Sequence, residues 1–336
     1  MIPFFVVDRP VSLEIIKGLF LMLPGKVLGL MTHAYTSRRF VKNFADFPDG
    51  TPFKHMDVPI PNKADEGIER RVIKFADSGI FSRDRRVSYA SLFQRYEELR
   101  ADYGAIIDFF HDPESTLESA RKALRIYRRR RYSFKLVGVV QGNTLDEYLR
   151  GYEALLNMGY RYIAIGGMLK RSGNSNFLGL RRDGCCDIVK VITSIKKRFS
   201  PDWIFVFGVL SPRRVSLLED LGVWGADYKG WLYHYEEDYS FVLTYLRTKK
   251  SKYGISDVDM ERITHLLTLY STYKKRHGFK TMYNFTDEEK RRSTILKKLK
   301  KKIDLHLKKY GLSLQYFRFK RVRENLAKKF RSISTP

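Results

Sequence analysis

Six short stretches of this chain end in residues that could do chemistry, at intervals that would bring them to one place. Asp77, Asp108, Gln141, the Gly166–Gly167 pair, Phe207–Gly208 and Asp227 each close an apolar run. The intervals between the first residues of these groups are 31, 33, 25, 41 and 20 residues. Most match the length of one strand–helix unit, so all six could face one cavity. Three carboxylates there, with an amide to orient a ligand and glycines to let the backbone approach it, form a chemically competent set. Taken singly, an Asp after a strand is more often a helix cap or a turn residue. The coincidence of the six gives the set its weight.

The elements that must carry these residues are legible in the hydrophobic pattern. Apolar runs recur at Phe4–Asp8, Val27–His33, Val72–Ser78, Gly104–Asp108, Leu136–Gln141, Tyr162–Gly167, Ile204–Gly208 and Val223–Gly230. Runs without strict alternation suit strands buried on both faces of a parallel sheet. Helical periodicity lies between them at Tyr89–Leu99, Ser115–Arg130, Leu145–Met158, Asp187–Phe199 and Pro212–Leu221. Alternating strands and helices mean an α/β fold. Eight strands predict a (β/α)8 TIM barrel over residues 1–240, with an open doubly wound sheet as the alternative. In a barrel the strand C-termini converge on one face, where enzymes of this architecture place their sites.

Charge divides the chain in a second way. Its 336 residues hold 63 Lys plus Arg against 37 Asp plus Glu, a net of +26. Residues 241–336 carry +18 of that total, which predicts a basic, mainly helical extension that binds an anionic polymer, nucleic acid first. Within it Thr286 and Glu289 form a capping-box pattern. Ile295, Leu299 and Ile303 then recur at four-residue steps with Leu296 and Leu307 beside them, and Gly311 supplies a stop. Tyr316–Arg321 alternates aromatic and basic residues and reads as a strand. The lysine-rich helix reads either as a solvated face or as a phosphate-contacting one, and the aromatic–basic interleaving beside it favours contact.

The remaining features bound the setting. Cys185 and Cys186 are adjacent, which suits neither an ordinary disulfide nor a zinc set, so a cytoplasmic, reduced setting is expected. The apolar segment Ile15–Met31 is interrupted by Lys17, Pro24 and Lys26 and is not expected to span a membrane. Arg128–Arg131 reads as a solvated helix end. His33, His55, His111 and His234 lack metal-ligand spacing, and His111 stands near enough to Asp108 to be a possible substrate contact.

Three segments resemble the signatures of the tRNA-guanine transglycosylase superfamily. They are Phe75-Ala76-Asp77-Ser78-Gly79-Ile80-Phe81, Val139-Val140-Gln141-Gly142, and Gly159 through Gly167 with its Ile165-Gly166-Gly167 end. The Ala-Asp-Ser-Gly form and the Phe207-Gly208-Val209 turn look closer to the DNA-modifying, DpdA-type 7-deazaguanine transglycosylases. The resemblance covers roughly residues 70–230. It implies that Asp227, after the Leu221-Gly222-Val223 turn, is the nucleophile and that Asp77 is the general acid/base. It implies that Asp108 and Gln141 hydrogen-bond the purine edge and that Gly166–Gly167 admits the base. Ser78 would belong to the same base-binding set, and Phe81 and Phe207 would stack on the base.

The residue types suit that chemistry. One carboxylate would attack C1′ and hold a covalent glycosyl intermediate, while a second moves a proton onto and off the bases. The target base must leave its stack, which calls for stacking surfaces and edge contacts. The resemblance thus implies exchange of guanine for a 7-deazaguanine base (preQ0-like), with DNA the favoured polymer and tRNA the alternative. A homodimer or a partner protein is also in keeping with it. Two departures bear on the reading. The family's zinc-binding cysteines have no counterpart after Cys186, so no metal and no cofactor is expected. Tyr228-Lys229-Gly230-Trp231 stands where the family has Leu-Pro-Thr-Arg, which leaves Asp220 and Asp238 as fallback nucleophiles. A third reading is a barrel without activity, retained as a nucleic-acid-binding subunit.

Overall fold

The computed structural model describes residues 1–8, 10–22, 27–49, 71–79, 87–172, 176–180, 187–211, 213–229, 231, 239–275, 287–314 and 316–317. The barrel strands are β1 (Ile2–Val6), β2 (Val27–His33), β3 (Arg71–Asp77), β4 (Tyr103–Ala105), β5 (Lys135–Val140) and β6 (Tyr162–Ile165). A hairpin of β7 (Leu169–Ser172) and β8 (Asn176–Leu180) follows, and β9 (Ile204–Val206) and β10 (Gly225–Tyr228) complete the barrel. The helices of this region are α1 (Pro10–Met22), α2 (Arg38–Ala45), α3 (Tyr89–Glu98), α4 (Pro113–Tyr127), α5 (Leu145–Met158), α6 (Ile188–Phe199) and α7 (Val215–Asp220).

Eight parallel strands close in the order β1-β10-β9-β6-β5-β4-β3-β2, the TIM barrel expected from the alternating pattern. The antiparallel pair β7–β8 was not visible in that pattern. It is inserted between β6 and α6, on the connection that leaves the mouth side of the barrel.

Local signals set the helices on their strands. Ser37, Ser88, Asp112, Thr144 and Asp187 each cap a helix by accepting a backbone N–H of its first turn, which satisfies a donor the helix leaves open. Pro113 fills the first helical position of α4. Gly159, at φ 97°, ends α5 in the left-handed conformation. Arg128 donates to the Met158 carbonyl at 2.9 Å. The arginine run therefore does begin as a helix end, with its first member securing the neighbouring helix terminus.

The interior is filled by rings, and they fix which residues face the axis. Phe4, Phe75 and Phe205 are fully buried, with centroids 4.6 Å apart for Phe75–Phe205 and 5.2 Å for Phe4–Phe205. Gly225 makes room for them, since a Cβ there would stand 2.9 Å from the Phe4 ring. Nearer the strand N-termini, Tyr103, Tyr162, Trp203 and Trp224 pack together, and the Lys135 ammonium lies over both tyrosine rings. Side chains alternate along a strand. Two residues beyond Phe75, Phe205 and Gly225, the positions Asp77, Phe207 and Asp227 therefore point into the mouth.

Beyond the barrel lie α8 (Tyr239–Thr248), α9 (Lys250–Tyr253), α10 (Asp257–Lys275) and α11 (Asp287–Lys308). They gather a second apolar cluster that includes Leu246, Ile263, Leu267, Ile303, Leu307 and Phe317. Two details differ from the sequence expectation. The packed stripe of α11 is Leu296, Leu299, Ile303 and Leu307, whereas Ile295 is exposed. Tyr316 and Phe317 are helical: Phe317 is buried against Tyr245, and packing on one face of a helix replaces the expected strand there. Thr286 and residues 318–321 lie outside the described residues. Among those described, no helix is long and apolar enough to cross a membrane.

Candidate active site

The mouth is formed by the ends of the barrel strands, among them β3, β4, β5, β6, β9 and β10. Asp227 lies within β10, paired in register with Phe4 of β1, and is 6% exposed. Its Oδ1 accepts the Gly208 backbone N–H at 2.5 Å. Gly208 is at φ 71°, a conformation that glycine adopts without strain. The Asp227 carbonyl in turn accepts the Leu210 N–H. Trp231 is fully buried and donates its indole N–H to Val6 O at 2.9 Å. The sequence after Asp227 therefore pins the end of β10 onto β1.

Asp77 ends β3 and lies in the field of two other carboxylates. Burial, then the charges of Asp108 and Asp227, push it up from 3.8 to about 7, against the pull of the Ser78 and Gly79 backbone N–H groups. Asp227 is pushed up to about 6 by burial, opposed by the Gly208 N–H and by Lys229. Burial also raises Asp108, opposed by its bond from Gln141. Like charges in a shared low-dielectric site disfavour joint ionisation, so the three hold fewer charges at neutral pH than three separate aspartates would.

Asp108 stands three residues past the short strand β4, and side chains replace the missing ladder. Ile107 N donates to Tyr89 Oη at 3.0 Å, and Phe109 N donates to Thr116 Oγ1 at 3.0 Å. Gln141 is 3% exposed and donates from Nε2 to Asp108 Oδ2 at 2.6 Å, while its Oε1 is buried without a hydrogen-bond partner. The glycine pair closes over this amide. A Cβ on Gly166 would fall on Gln141 Nε2, and one on Gly167, at φ 73°, would stand 2.6 Å from Oε1. Tyr148 of α5 clamps the turn by donating to Gly166 O at 2.9 Å. Gly166→Ala should therefore break the Gln141–Asp108 bond. The expected cost is ~1–3 kcal/mol from overpacking, read by urea melting, together with weaker ligand binding. An unchanged melting midpoint would mean that the glycine is not required for close approach.

Phe207 is half-buried and makes T-shaped contacts with Phe75 and Phe205, with centroids 5.7 and 5.0 Å apart. Ser78 is 2% exposed and meets Asp77 through its backbone N–H. Phe81 lies outside the described residues, as do Asp238, Cys185 and Cys186. Asp220 is exposed at the end of α7, before β10 begins, hence at the far end of the barrel from the mouth. Of the two fallback nucleophiles it is the one whose position is described, and it does not join the cluster.

Residues that sequence reasoning passed over also belong to this face. Asp8 and His33 end the first two apolar runs; alternation from Gly29 puts His33 on the inward side of β2, and Asp8 follows two residues after the end of β1. A Cβ on Gly79 would stand 2.7 Å from His33 Cβ, which places His33 beside the turn after Asp77. Asp8 and His33 both close an apolar run, the same signal that marks Asp77 and Gln141, whereas the family resemblance covers only roughly residues 70–230. His111 carries a φ of 57° and accepts from Asn143 through its carbonyl at 3.1 Å, which assigns it a turn role in the loop after Asp108. Among the described residues no group of three or more His, Cys, Asp or Glu could hold a metal ion.

No protein-family model matches the chain, and no curated protein matches it. Among solved structures it is similar to the YdjI aldolase from Escherichia coli K12, at 10% identity over 78% of this chain and 84% of that one, with a TM-score of 0.41. It is also similar to a native KDPGal structure, at 12% identity over 69% of this chain and 82% of that one, with a TM-score of 0.36. Likenesses this distant say nothing about chemistry, and the barrel assignment stands on its own strand order.

Proposed function

We propose that the chain is a transglycosylase that exchanges guanine in DNA for a 7-deazaguanine base of the preQ0 type. The observation that carries the proposal is the placement of two carboxylates at one mouth, Asp77 at the end of β3 and Asp227 in β10, with the charge of Asp227 felt at Asp77. Burial raises both, Asp77 to about 7 and Asp227 to about 6, and the Gly208 N–H and Lys229 favour the carboxylate of Asp227, so Asp227 is the more readily ionised of the two and Asp77 the better proton donor. Asp227 then attacks C1′ as the bond from C1′ to guanine N9 breaks, and the proton of Asp77 passes to the departing purine. The incoming base gives its N9 proton to Asp77, and its nitrogen displaces the Asp227 ester. The proton and the carboxylate are both restored. Gln141 and Asp108 supply donor and acceptor atoms for a purine edge, Gly166–Gly167 allows the base to lie against the backbone, and Phe207 offers a stacking surface.

The rate of this reaction should depend on pH in a definite way. Exchange requires Asp227 ionised and Asp77 protonated, so kcat/KM should rise through about 6 and fall through about 7, giving a narrow bell whose limbs belong to the coupled pair. A flat profile from pH 5 to 9 would exclude this pairing. The reaction class is tested by incubating the chain with radiolabelled guanine and, in parallel, duplex DNA, single-stranded DNA and bulk tRNA. Label in DNA supports the proposal, and label in tRNA alone moves the polymer. No label in any of them favours the nucleic-acid-binding subunit.

A further inference from the structure

We propose that the cleft between α10 and α11 is a binding site for a single strand of nucleic acid, taking a backbone phosphate between Arg262 and Lys302 and an adjoining base or sugar against Leu305. The cleft is about 390 Å³ and is lined by Arg262, His265, Leu266, Lys302, Leu305 and His306, a size that accepts a small organic group. None of its lining residues is acidic. Asp259, one turn before Arg262, is occupied by Tyr310 at 2.7 Å, Lys309 at 3.3 Å and His306 at 3.4 Å. Arg262 and Lys302 are both exposed.

Helical spacing extends this surface past the cleft. On α11, Ile295, Lys298, Lys302 and Leu305 follow at steps of three and four residues and so share one face. On α10, Val258, Arg262 and His265 do the same. Val258 is 58% exposed, Leu305 67% and Ile295 37%. These three are half of the six exposed large aliphatics among the described residues, and each stands in a row with a cation. The stripes flank a concavity, and apolar residues stand singly among basic ones. That pattern matches a strand whose phosphates and flat bases alternate. A lipid surface would call for a convex, continuous apolar face. The guanidinium fork of Arg262 suits phosphate.

The inference rests on the proposed function only for the nature of the polymer, and it is read by binding without turnover. The test is fluorescence anisotropy of the full chain with a labelled single-stranded DNA oligonucleotide, over a salt series. Arg262→Ala/Lys302→Ala should weaken binding ~10-fold or more and lower the magnitude of the log–log salt slope by about 1.4, two single-strand contacts at ~0.7 each. Lys297→Ala/Lys300→Ala removes the same charge from α11 outside the row of Lys298, Lys302 and Leu305 and should change affinity less than ~3-fold. Leu305→Ser should weaken binding with the slope unchanged. Equal losses in the two double variants, or none in either, would overturn the site. So would loss of binding to phosphatidylserine vesicles in the cleft variant with oligonucleotide binding intact, which would assign the surface to lipid. Absence of exchange activity in the unaltered chain, with its oligonucleotide binding intact, would sink the transglycosylase reading and leave this one standing.

Discussion

Asp227→Asn should leave the barrel folded and reduce base exchange by ~10³-fold or more, with no covalent adduct recoverable after denaturation. The amide keeps an oxygen that can accept the Gly208 N–H, so the bond that holds this side chain at 2.5 Å survives the change. The nucleophilic oxygen does not. The variant also removes one of the two carboxylate charges that raise Asp77, so Asp77 should titrate below about 7 in it. These two readouts separate a nucleophile from a structural acid. A structural role would shift the titration of Asp77 and leave an adduct, whereas the nucleophile's loss removes both adduct and turnover. Retained exchange in Asp227→Asn would sink the assignment outright.

How far this site could be read from the sequence depended on which residues hold it. Where a capping side chain and a glycine bracket an element, its ends were visible: α5 spans Leu145–Met158, as the periodicity predicts, between Thr144 and Gly159. The strand β2 spans Val27–His33, again as its apolar run predicts. Asp77, Gln141 and Asp227 were reachable because the parity of a buried strand carries its last inward residue to the mouth. Asp108 was reachable only in part, because β4 stops at Ala105 and Tyr89 and Thr116 complete the backbone pairing from helices. Such cross-element bonds have no periodic signature.

The same limit explains what was missed. The Gly208 N–H that holds Asp227 comes from the turn after β9, 19 residues earlier, and nothing in either local sequence announces the pairing. Tyr148 reads as a core aromatic on a helix, and it is one, but its hydroxyl also fixes the Gly166 carbonyl. The β7–β8 hairpin lies in a segment whose pattern was dominated by the flanking β6 and α6. On α11 the four-residue steps were read from Ile295, while the barrel-distal cluster selects the row beginning at Leu296. The lysines made both rows look alike, because a charge-rich helix has little apolar contrast between its faces.

Asp77→Asn should slow exchange by ~10²-fold or more and at the same time make the chain more stable, by about 2 kcal/mol at pH 8. The folded chain binds this proton with a value near 7, and an unfolded chain releases it near 3.8. Between those values the folded state holds more protons than the unfolded one, so stability falls as pH rises. The penalty is absent below about 3.8 and complete above about 7. The shift alone would give nearer ~4 kcal/mol, and the figure is halved because Asp77 retains some exposure at the mouth. Asparagine resembles the neutral acid in shape, still accepts from the Ser78 and Gly79 N–H groups, and cannot ionise, so its advantage should vanish near pH 4. Denaturant melts of the two chains at pH 4.5, 6 and 8 measure this directly, alongside exchange rates. The combination carries the test, because an ordinary buried hydrogen-bonding residue loses stability when altered. A chain that becomes less stable at pH 8, or one that keeps its rate, would show that the charge at Asp77 is not held against the fold for the sake of catalysis.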